Sequence, residues 1–156
     1  PRLAGGGYFH DMTRTWCLGY APAEIEQAYE QVRGAFDRVM AELTVGSRTA
    51  EYQVMTCEYY QSLGHPTILS DPTTEVGYVH GLGHGLGLEV HEAPSFQAIE
   101  GNTTTLLPGT VFTVEPGLYY RERGYGVRIE DVVYCDEAGV FHTMTPFRKD
   151  LVLPVR

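Results

Sequence analysis

The chain of 156 residues is 43% hydrophobic and 20% charged, a composition typical of one globular domain with a sizeable core. Its formal net charge is −9 and its 11 basic residues are scattered, which argues against nucleic acid as a partner. No stretch approaches the roughly 18 apolar residues that a membrane-spanning helix needs, so we do not expect a membrane partner either.

Three cysteines, Cys17, Cys57 and Cys135, are spaced unlike metal or redox motifs. An odd number of thiols without such spacing predicts free cysteines in a reducing compartment. Because no signal peptide opens the sequence, the expected location is cytoplasmic.

The first half of the chain is predicted to contain two helices. Residues 7–18 read as extended, and residues 22–43 place apolar side chains at helical spacing. A second helix is predicted over residues 50–63, with Thr49 as its cap and Gly64 as its stop.

The second half of the chain has the pattern of strands. Helices followed by strands predict a single α/β unit of the α+β type, with a largely antiparallel sheet. The predicted strands cover residues 110–114, 126–134, 140–144 and 151–153, with a turn over 136–139.

Residues 80–92 carry the most informative pattern, in which His80, His84 and His91 lie among four glycines. So many glycines would weaken an ordinary helix or strand, but they allow another segment to approach closely. Histidine is a common metal ligand and carries protons near neutral pH. The segment therefore predicts a functional site, and the ordinary alternative is a glycine-rich turn with incidental histidines.

Three carboxylates lie in predicted extended segments, where an ionised group needs a partner or a metal ion. Asp11 shares a face with Thr13, whose hydroxyl is expected to hydrogen-bond the Asp11 carboxylate. Glu115 ends a strand before a turn, and Glu130 shares a face with Arg128. Each carboxylate alone has an ordinary explanation, but together with one histidine they form a donor set that suits Mn²⁺ and can hold two divalent ions.

Five motifs in this order resemble those of the pita-bread metallopeptidases, which include Xaa-Pro aminopeptidases, prolidases and methionine aminopeptidases. The resemblance implies the pita-bread fold, with a curved antiparallel sheet and two long helices. The motifs are Asp-Met-Thr-Arg-Thr (11–15), His-Gly-Leu-Gly-His-Gly-Leu-Gly (80–87), Val-His-Glu-Ala-Pro (90–94), Val-Glu-Pro-Gly (114–117) and Arg-Ile-Glu-Asp (128–131).

The resemblance also implies a set of metal ligands. By position, Asp11 and Glu130 would bridge two divalent ions, and His84 and Glu115 would be ligands of one of them. Mn²⁺ is the first expectation, and Co²⁺, Zn²⁺ and Fe²⁺ stay open because they accept the same ligands. Glu115 is further expected to carry the proton of the attacking water.

Substrate contacts are implied for three further residues. His80 and His91 resemble histidines that contact substrate and donate hydrogen bonds to the developing oxyanion. Arg128 is expected either to orient Glu130 or to meet a substrate carboxylate.

The residues around Asp11 and Glu130 favour the Xaa-Pro branch of the family. The resemblance thus implies a two-metal peptidase in which a bridging water attacks the carbonyl before proline, at the N-terminus of peptides or in dipeptides. Three alternatives stay open: a methionine aminopeptidase-like enzyme, a creatinase-like hydrolase without metal, and a binding module without catalysis. The last two typically replace several of the carboxylates that this chain keeps.

One departure from the family pattern lies at the start of the chain. Family members carry a further aspartate ligand eleven residues before the bridging one, a position that would precede Pro1. We therefore expect residues 1–156 to be the C-terminal portion of a catalytic metallopeptidase domain, incomplete at its N-terminus. A homodimer is expected from the resemblance alone.

Overall fold

The computed structural model describes residue 2 and residues 4–155. These residues form two α-helices, nine β-strands and a short 3₁₀ helix at Arg121–Arg123. The elements are β1 (Cys17–Leu18), α1 (Ala23–Glu42), α2 (Thr49–Ser62), β2 (His84–Gly85), β3 (Glu92–Ser95), β4 (Val111–Val114), β5 (Gly117–Tyr120), β6 (Tyr125–Arg128), β7 (Asp131–Cys135), β8 (Phe141–Thr143) and β9 (Val152–Leu153).

Both helices lie where the apolar spacing predicts them, within two residues at each end. α2 stops as expected, because Gly64 has a φ of +85° and its amide donates to the Gln61 carbonyl oxygen at 2.9 Å. The prediction that Thr49 caps α2 is wrong. Thr49 is the first residue of the helix, and its hydroxyl donates to the Ser95 carbonyl oxygen at 2.7 Å, which ties α2 to β3.

The main sheet is antiparallel and has five strands in the described residues, in the order β3-β2-β4-β7-β8. β5 and β6 form a separate antiparallel hairpin, and β1 pairs with β9 in parallel. The largely antiparallel arrangement predicted from the sequence is therefore confirmed. Buried side chains from both helices, the hairpin and the main sheet form one hydrophobic core.

The continuous strand predicted over residues 126–134 is wrong, because β6 and β7 are separated at Ile129 and Glu130. β4 pairs with β7 up to Val114 and Asp131, and the β5–β6 pairing resumes at Gly117 and Arg128. Glu115 and Pro116 lie between these ladders. Proline has no amide hydrogen, so it cannot donate a ladder hydrogen bond at this point.

Glu130 pairs with another segment where the ladder is interrupted. Its amide donates to the Thr13 carbonyl oxygen at 3.0 Å, and the Thr13 amide donates back at 3.3 Å. The interruption thus brings the segment that carries Asp11 beside the segments that carry Glu115 and Glu130.

Two further expectations concern the molecule as a whole. None of the helices in residues 2 and 4–155 is long and apolar enough to cross a membrane. Cys17, Cys57 and Cys135 are free thiols, and the last two are buried.

Candidate metal centre

His84 is held in place by close backbone contacts on either side. A Cβ atom on Gly83 would lie 1.9 Å from the Thr113 carbonyl oxygen, and one on Gly85 would lie 2.0 Å from the Ala93 carbonyl oxygen. Only glycine allows strands to approach so closely. The His84 amide donates to the Thr113 hydroxyl at 3.0 Å, so the histidine is fixed against β4.

The His84 ring presents a free lone pair to the acidic side chains. Its Nδ1 lies 3.0 Å from the Gly85 carbonyl oxygen, an acceptor, which places the proton on Nδ1 in the neutral ring. Burial lowers the pKa of His84 and so favours the neutral ring. Nε2 lies 3.3 Å from Glu115 Oε1 and 3.9 Å from Asp11 Oδ2.

Thr13 and Arg128 support Glu130 through a chain of hydrogen bonds. Arg128 Nε donates to the Thr13 hydroxyl at 3.0 Å, and that hydroxyl donates to Glu130 Oε2 at 2.5 Å. Arg128 Nε itself lies 3.8 Å from the same carboxylate oxygen. Thr13 was expected to hydrogen-bond Asp11, and that expectation is wrong because Thr13 faces Glu130 across the bridge between the two segments. The positions of Arg128 and Glu130 on one face are as predicted.

Asp11, His84, Glu115 and Glu130 are called the ligand cluster below. Ligand atoms of Asp11, His84 and Glu130 all lie within 4.8 Å of one another. Glu115 joins this group through its contact with His84, and its other neighbour is the Thr113 hydroxyl at 3.3 Å. All four residues that the sequence assigns as ligands therefore meet in one place, from four separate parts of the chain.

Glu115 and Glu130 resist ionisation in the absence of a cation. Burial, and then the neighbouring Glu130, raise the pKa of Glu115 to about 8. Burial likewise raises the pKa of Glu130, against a lowering effect of the Thr13 hydrogen bond. Among the described residues, Arg128 is the one Arg or Lys whose side chain pairs with a carboxylate of the ligand cluster.

This arrangement fits divalent cations. Several acceptor atoms converge, including an imidazole lone pair 3.3 Å from a carboxylate oxygen, with too few donors to satisfy them. A bound cation would offset the desolvation and the mutual repulsion together. One imidazole and three carboxylates form a mostly oxygen donor set, which suits hard divalent ions.

His80 and His91 line one cavity of about 750 Å³ together with His84, Glu115 and Arg128. His91 is exposed, and its ring centroid lies 4.3 Å from that of His84, so it borders the ligand cluster directly. His80 is more enclosed. Its Nδ1 lies 2.7 Å from the Gly81 carbonyl oxygen and its Nε2 lies 2.9 Å from the Tyr119 hydroxyl.

These contacts distinguish the two histidines chemically. Because Nδ1 of His80 donates to a carbonyl, its Nε2 accepts from Tyr119, and both ring nitrogens already have partners. Burial lowers the pKa of His80, which favours this neutral form. In this conformation His91 is the better placed of the two to donate a hydrogen bond to a ligand in the cavity.

Sequence reasoning gave little weight to two residues of the site. Thr113 hydrogen-bonds both the His84 amide and Glu115, and alternation along β4 would have placed it on the face of Glu115. The Tyr119 hydroxyl contacts His80 and lies 3.5 Å from Arg128 Nη1. Tyr119 lies soon after Glu-Pro-Gly in the sequence, but its partners depend on the β5–β6 hairpin.

Known proteins share both the sequence pattern and the fold. Residues 3–137 match the model of "Metallopeptidase family M24". The chain is 32% identical to the "Probable dipeptidase PepE" of Mycobacterium tuberculosis over 151 residues, which cover 97% of this chain and 37% of that protein.

Two solved structures superpose closely on this chain. A prolidase from Thermococcus sibiricus matches with a TM-score of 0.81 at 30% identity, over 96% of this chain and 37% of that one. An X-Pro aminopeptidase from Thermotoga maritima matches with a TM-score of 0.80 at 30% identity, over 96% of this chain and 38% of that one. The likenesses confirm the predicted fold class, and the chain spans little more than a third of the length of these relatives.

Proposed function

The chain belongs to metallopeptidase family M24, and on that premise we propose that it carries the metal centre of a peptidase that hydrolyses Xaa-Pro bonds. The observation that carries the proposal is the convergence of the ligand cluster: donor atoms of Asp11, His84 and Glu130 within 4.8 Å, with Glu115 beside His84. A creatinase-like hydrolase without metal, or a binding module without catalysis, would not require these four donor side chains in one place.

The proposed substrate is a peptide with proline at its second position, either a dipeptide or a longer chain. Support comes from the relatives, which are named as a dipeptidase, a prolidase and an X-Pro aminopeptidase. The cavity beside the ligand cluster has room for a short peptide.

In the proposed centre, Asp11, His84, Glu115 and Glu130 would hold two divalent ions. When bound, such ions acidify a water molecule and polarise the scissile carbonyl. Mn²⁺ is the first candidate, because the donor set is mostly carboxylate oxygen. Co²⁺, Zn²⁺ and Fe²⁺ would accept the same residues.

Protein groups would position the reactants and move the proton. Glu115 is proposed to receive the proton of the attacking water, because its carboxylate lies 3.3 Å from His84 Nε2 within the ligand cluster. His91 would donate a hydrogen bond to the oxygen of the scissile carbonyl. His80, held by Gly81 and Tyr119, would form the wall against which the substrate lies.

Three further expectations remain predictions. The assignment of residues 1–156 to a catalytic metallopeptidase domain, the homodimer and the cytoplasmic location are proposed from the sequence and the family. The free thiols of Cys17, Cys57 and Cys135 favour a reducing compartment.

The proposal is tested by a panel of three substrates with added Mn²⁺: Gly-Pro, an Xaa-Pro-Xaa tripeptide, and a peptide that begins with Met and lacks proline. We expect hydrolysis of the first two at the bond before proline, measured by chromatography of the products. Preference for the Met peptide would instead indicate a methionine aminopeptidase-like enzyme. Turnover that survives complete chelation of metal would favour a creatinase-like hydrolase.

The variant Glu130→Gln tests the ligand cluster within the same assay. The amide keeps the shape of the side chain but loses the negative charge that two cations require, so turnover is expected to fall at least about a hundredfold. Glu137→Gln is the matched control, because Glu137 is exposed in the turn before β8. Unchanged hydrolysis by Glu130→Gln would refute the proposed role of Glu130.

A further inference from the structure

Arg14 and Asp131 form an ion pair that is almost completely buried and lies outside the cavity. Arg14 Nη2 and Asp131 Oδ1 are 2.6 Å apart, and each side chain is 1% exposed. Removing two charges from water is costly, and a buried pair is often no better for stability than apolar residues would be. Stability alone therefore does not explain the presence of this buried ion pair.

Arg14 Nη1 contacts the backbone of two separate segments of the chain. It donates to the Thr13 carbonyl oxygen at 2.9 Å and to the Glu130 carbonyl oxygen at 2.8 Å. Thr13 and Glu130 are the two residues that bridge the segment of Asp11 to the strands of the main sheet and the hairpin. A single guanidinium thus joins the backbones of the two segments that provide Asp11 and Glu130.

We propose that Arg14 is a positioning residue for the metal centre. From its place outside the cavity, it fixes the distance between the Asp11 and Glu130 carboxylates. The inference rests on the proposed function, since it concerns the same two ligands. Arg14 touches neither the cavity nor a ligand side chain. It acts through two main-chain carbonyl oxygens: that of Thr13, two residues after Asp11, and that of Glu130 itself.

The rest of the guanidinium is fixed as firmly. Nη2 also approaches the carbonyl oxygens of Thr145 and Phe147, at 3.1 Å and 2.9 Å, and Nε donates to that of Arg148 at 3.1 Å. Every N–H of the planar group therefore has an acceptor, so the fork cannot rotate. A lysine ammonium is a single point with three donors and cannot span the same set of oxygens.

Asp131 determines the orientation of that fork. Its Oδ1 also accepts from the Thr145 hydroxyl at 2.7 Å, and its Oδ2 lies 2.5 Å from Lys149 Nζ. Two cations therefore share one carboxylate. Of these two cations, Arg14 contacts both ligand-bearing segments, whereas Lys149 contacts Asp131 and lies over the ring of Phe36. This difference provides a matched pair of variants.

The experiment compares Arg14→Lys with Lys149→Met, using Mn²⁺ affinity by titration calorimetry and the visible absorption of bound Co²⁺, which reports ligand geometry. Arg14→Lys is expected to weaken Mn²⁺ binding by about tenfold, as loss of groups that orient ligands typically does, and to shift the Co²⁺ bands. Lys149→Met is expected to lower the unfolding temperature but to leave both metal readouts unchanged. If Arg14→Lys does not fold, the double variant Arg14→Gln with Asp131→Asn removes both charges of the pair. The same weaker Mn²⁺ binding and shifted Co²⁺ bands are expected for it.

The outcomes separate the positioning role from the proposed function. Equal Mn²⁺ affinity and equal Co²⁺ spectra in all variants, or an equal shift in Lys149→Met, would overturn the role of Arg14 and leave the metal centre standing. If the unsubstituted protein binds neither ion, the metal centre itself is refuted, and the role of Arg14 falls with it.

Discussion

At the scale of the residue, Glu115 departs far from its solution chemistry. Its pKa is raised to about 8 by burial and by Glu130, whereas an unfolded chain would ionise it near the ordinary value of 4.5. Between these two pH values the folded protein retains a proton that the unfolded chain has lost. The contribution of Glu115 to metal-free stability is therefore greatest below about pH 4.5 and falls as the pH rises towards 8.

This linkage predicts a pH-dependent difference between the protein and its Glu115→Gln variant, both without metal. The free energy of unfolding of the variant relative to the parent should increase between pH 5 and pH 8, by an amount on the order of a few kcal/mol. Urea denaturation at several pH values measures it. Parallel stability curves would show that Glu115 ionises normally.

The two histidines of the cavity illustrate what a residue's surroundings add to its type. His80 and His91 occur in the same glycine-rich segment, and the family pattern gives them similar roles. The Gly81 carbonyl and the Tyr119 hydroxyl occupy both nitrogens of His80, while His91 remains exposed beside His84. Spacing along the chain contains no information on these partners.

At the scale of the element, the approach of β2 to β4 depends on glycine. Gly83→Ala would put a Cβ atom 1.9 Å from the Thr113 carbonyl oxygen, so the strands would have to separate. We expect a loss of about 2–3 kcal/mol in the free energy of unfolding, measured by urea denaturation, together with weaker metal binding because His84 moves.

Gly6→Ala is the control for that substitution. Its added Cβ atom would lie 3.5 Å from the Tyr8 ring, an ordinary contact, so stability should stay close to that of the parent. If Gly83→Ala were as stable as Gly6→Ala, the close packing of β2 against β4 would not be needed to hold His84.

The interruption between β6 and β7 shows what strand periodicity can predict and what it cannot. Val127, Ile129, Asp131 and Val133, which alternate along this stretch, are all buried. Alternation cannot detect that the ladder stops at Ile129 and Glu130, because that depends on Pro116 in the opposite segment. The interruption puts both Glu115 and Glu130 at the site, where Glu130 pairs with Thr13 instead.

At the scale of the whole molecule, the ligand cluster joins distant parts of the chain, so metal binding should stabilise the fold. A ligand at a hundred times its dissociation constant adds about 2.7 kcal/mol. For a domain of this size, that corresponds to a rise of roughly 5–10 °C in the unfolding temperature. Differential scanning calorimetry with and without Mn²⁺ measures the shift, and excess chelator should reverse it.

The Glu130→Gln variant is the control for this effect at the molecular level. Because it lacks one bridging carboxylate, Mn²⁺ should raise its unfolding temperature far less than that of the parent. A similar rise in both proteins would mean that Mn²⁺ binds elsewhere, for instance to exposed acidic groups on a chain with a net charge of −9.

The sequence by itself determined the two helices, the antiparallel character of the sheet, and the residue types of the ligand cluster. Each of these depends on local periodicity, on turn-forming residues, or on motifs that fit within about a dozen positions. Which groups meet depends on the tertiary structure. Thr13 supports Glu130 rather than Asp11, and Arg14 joins two segments 116 residues apart. Both ring nitrogens of His80 have hydrogen-bond partners, while His91 is exposed. Such contacts depend on the packing of separate segments, and no local pattern encodes the distance between them.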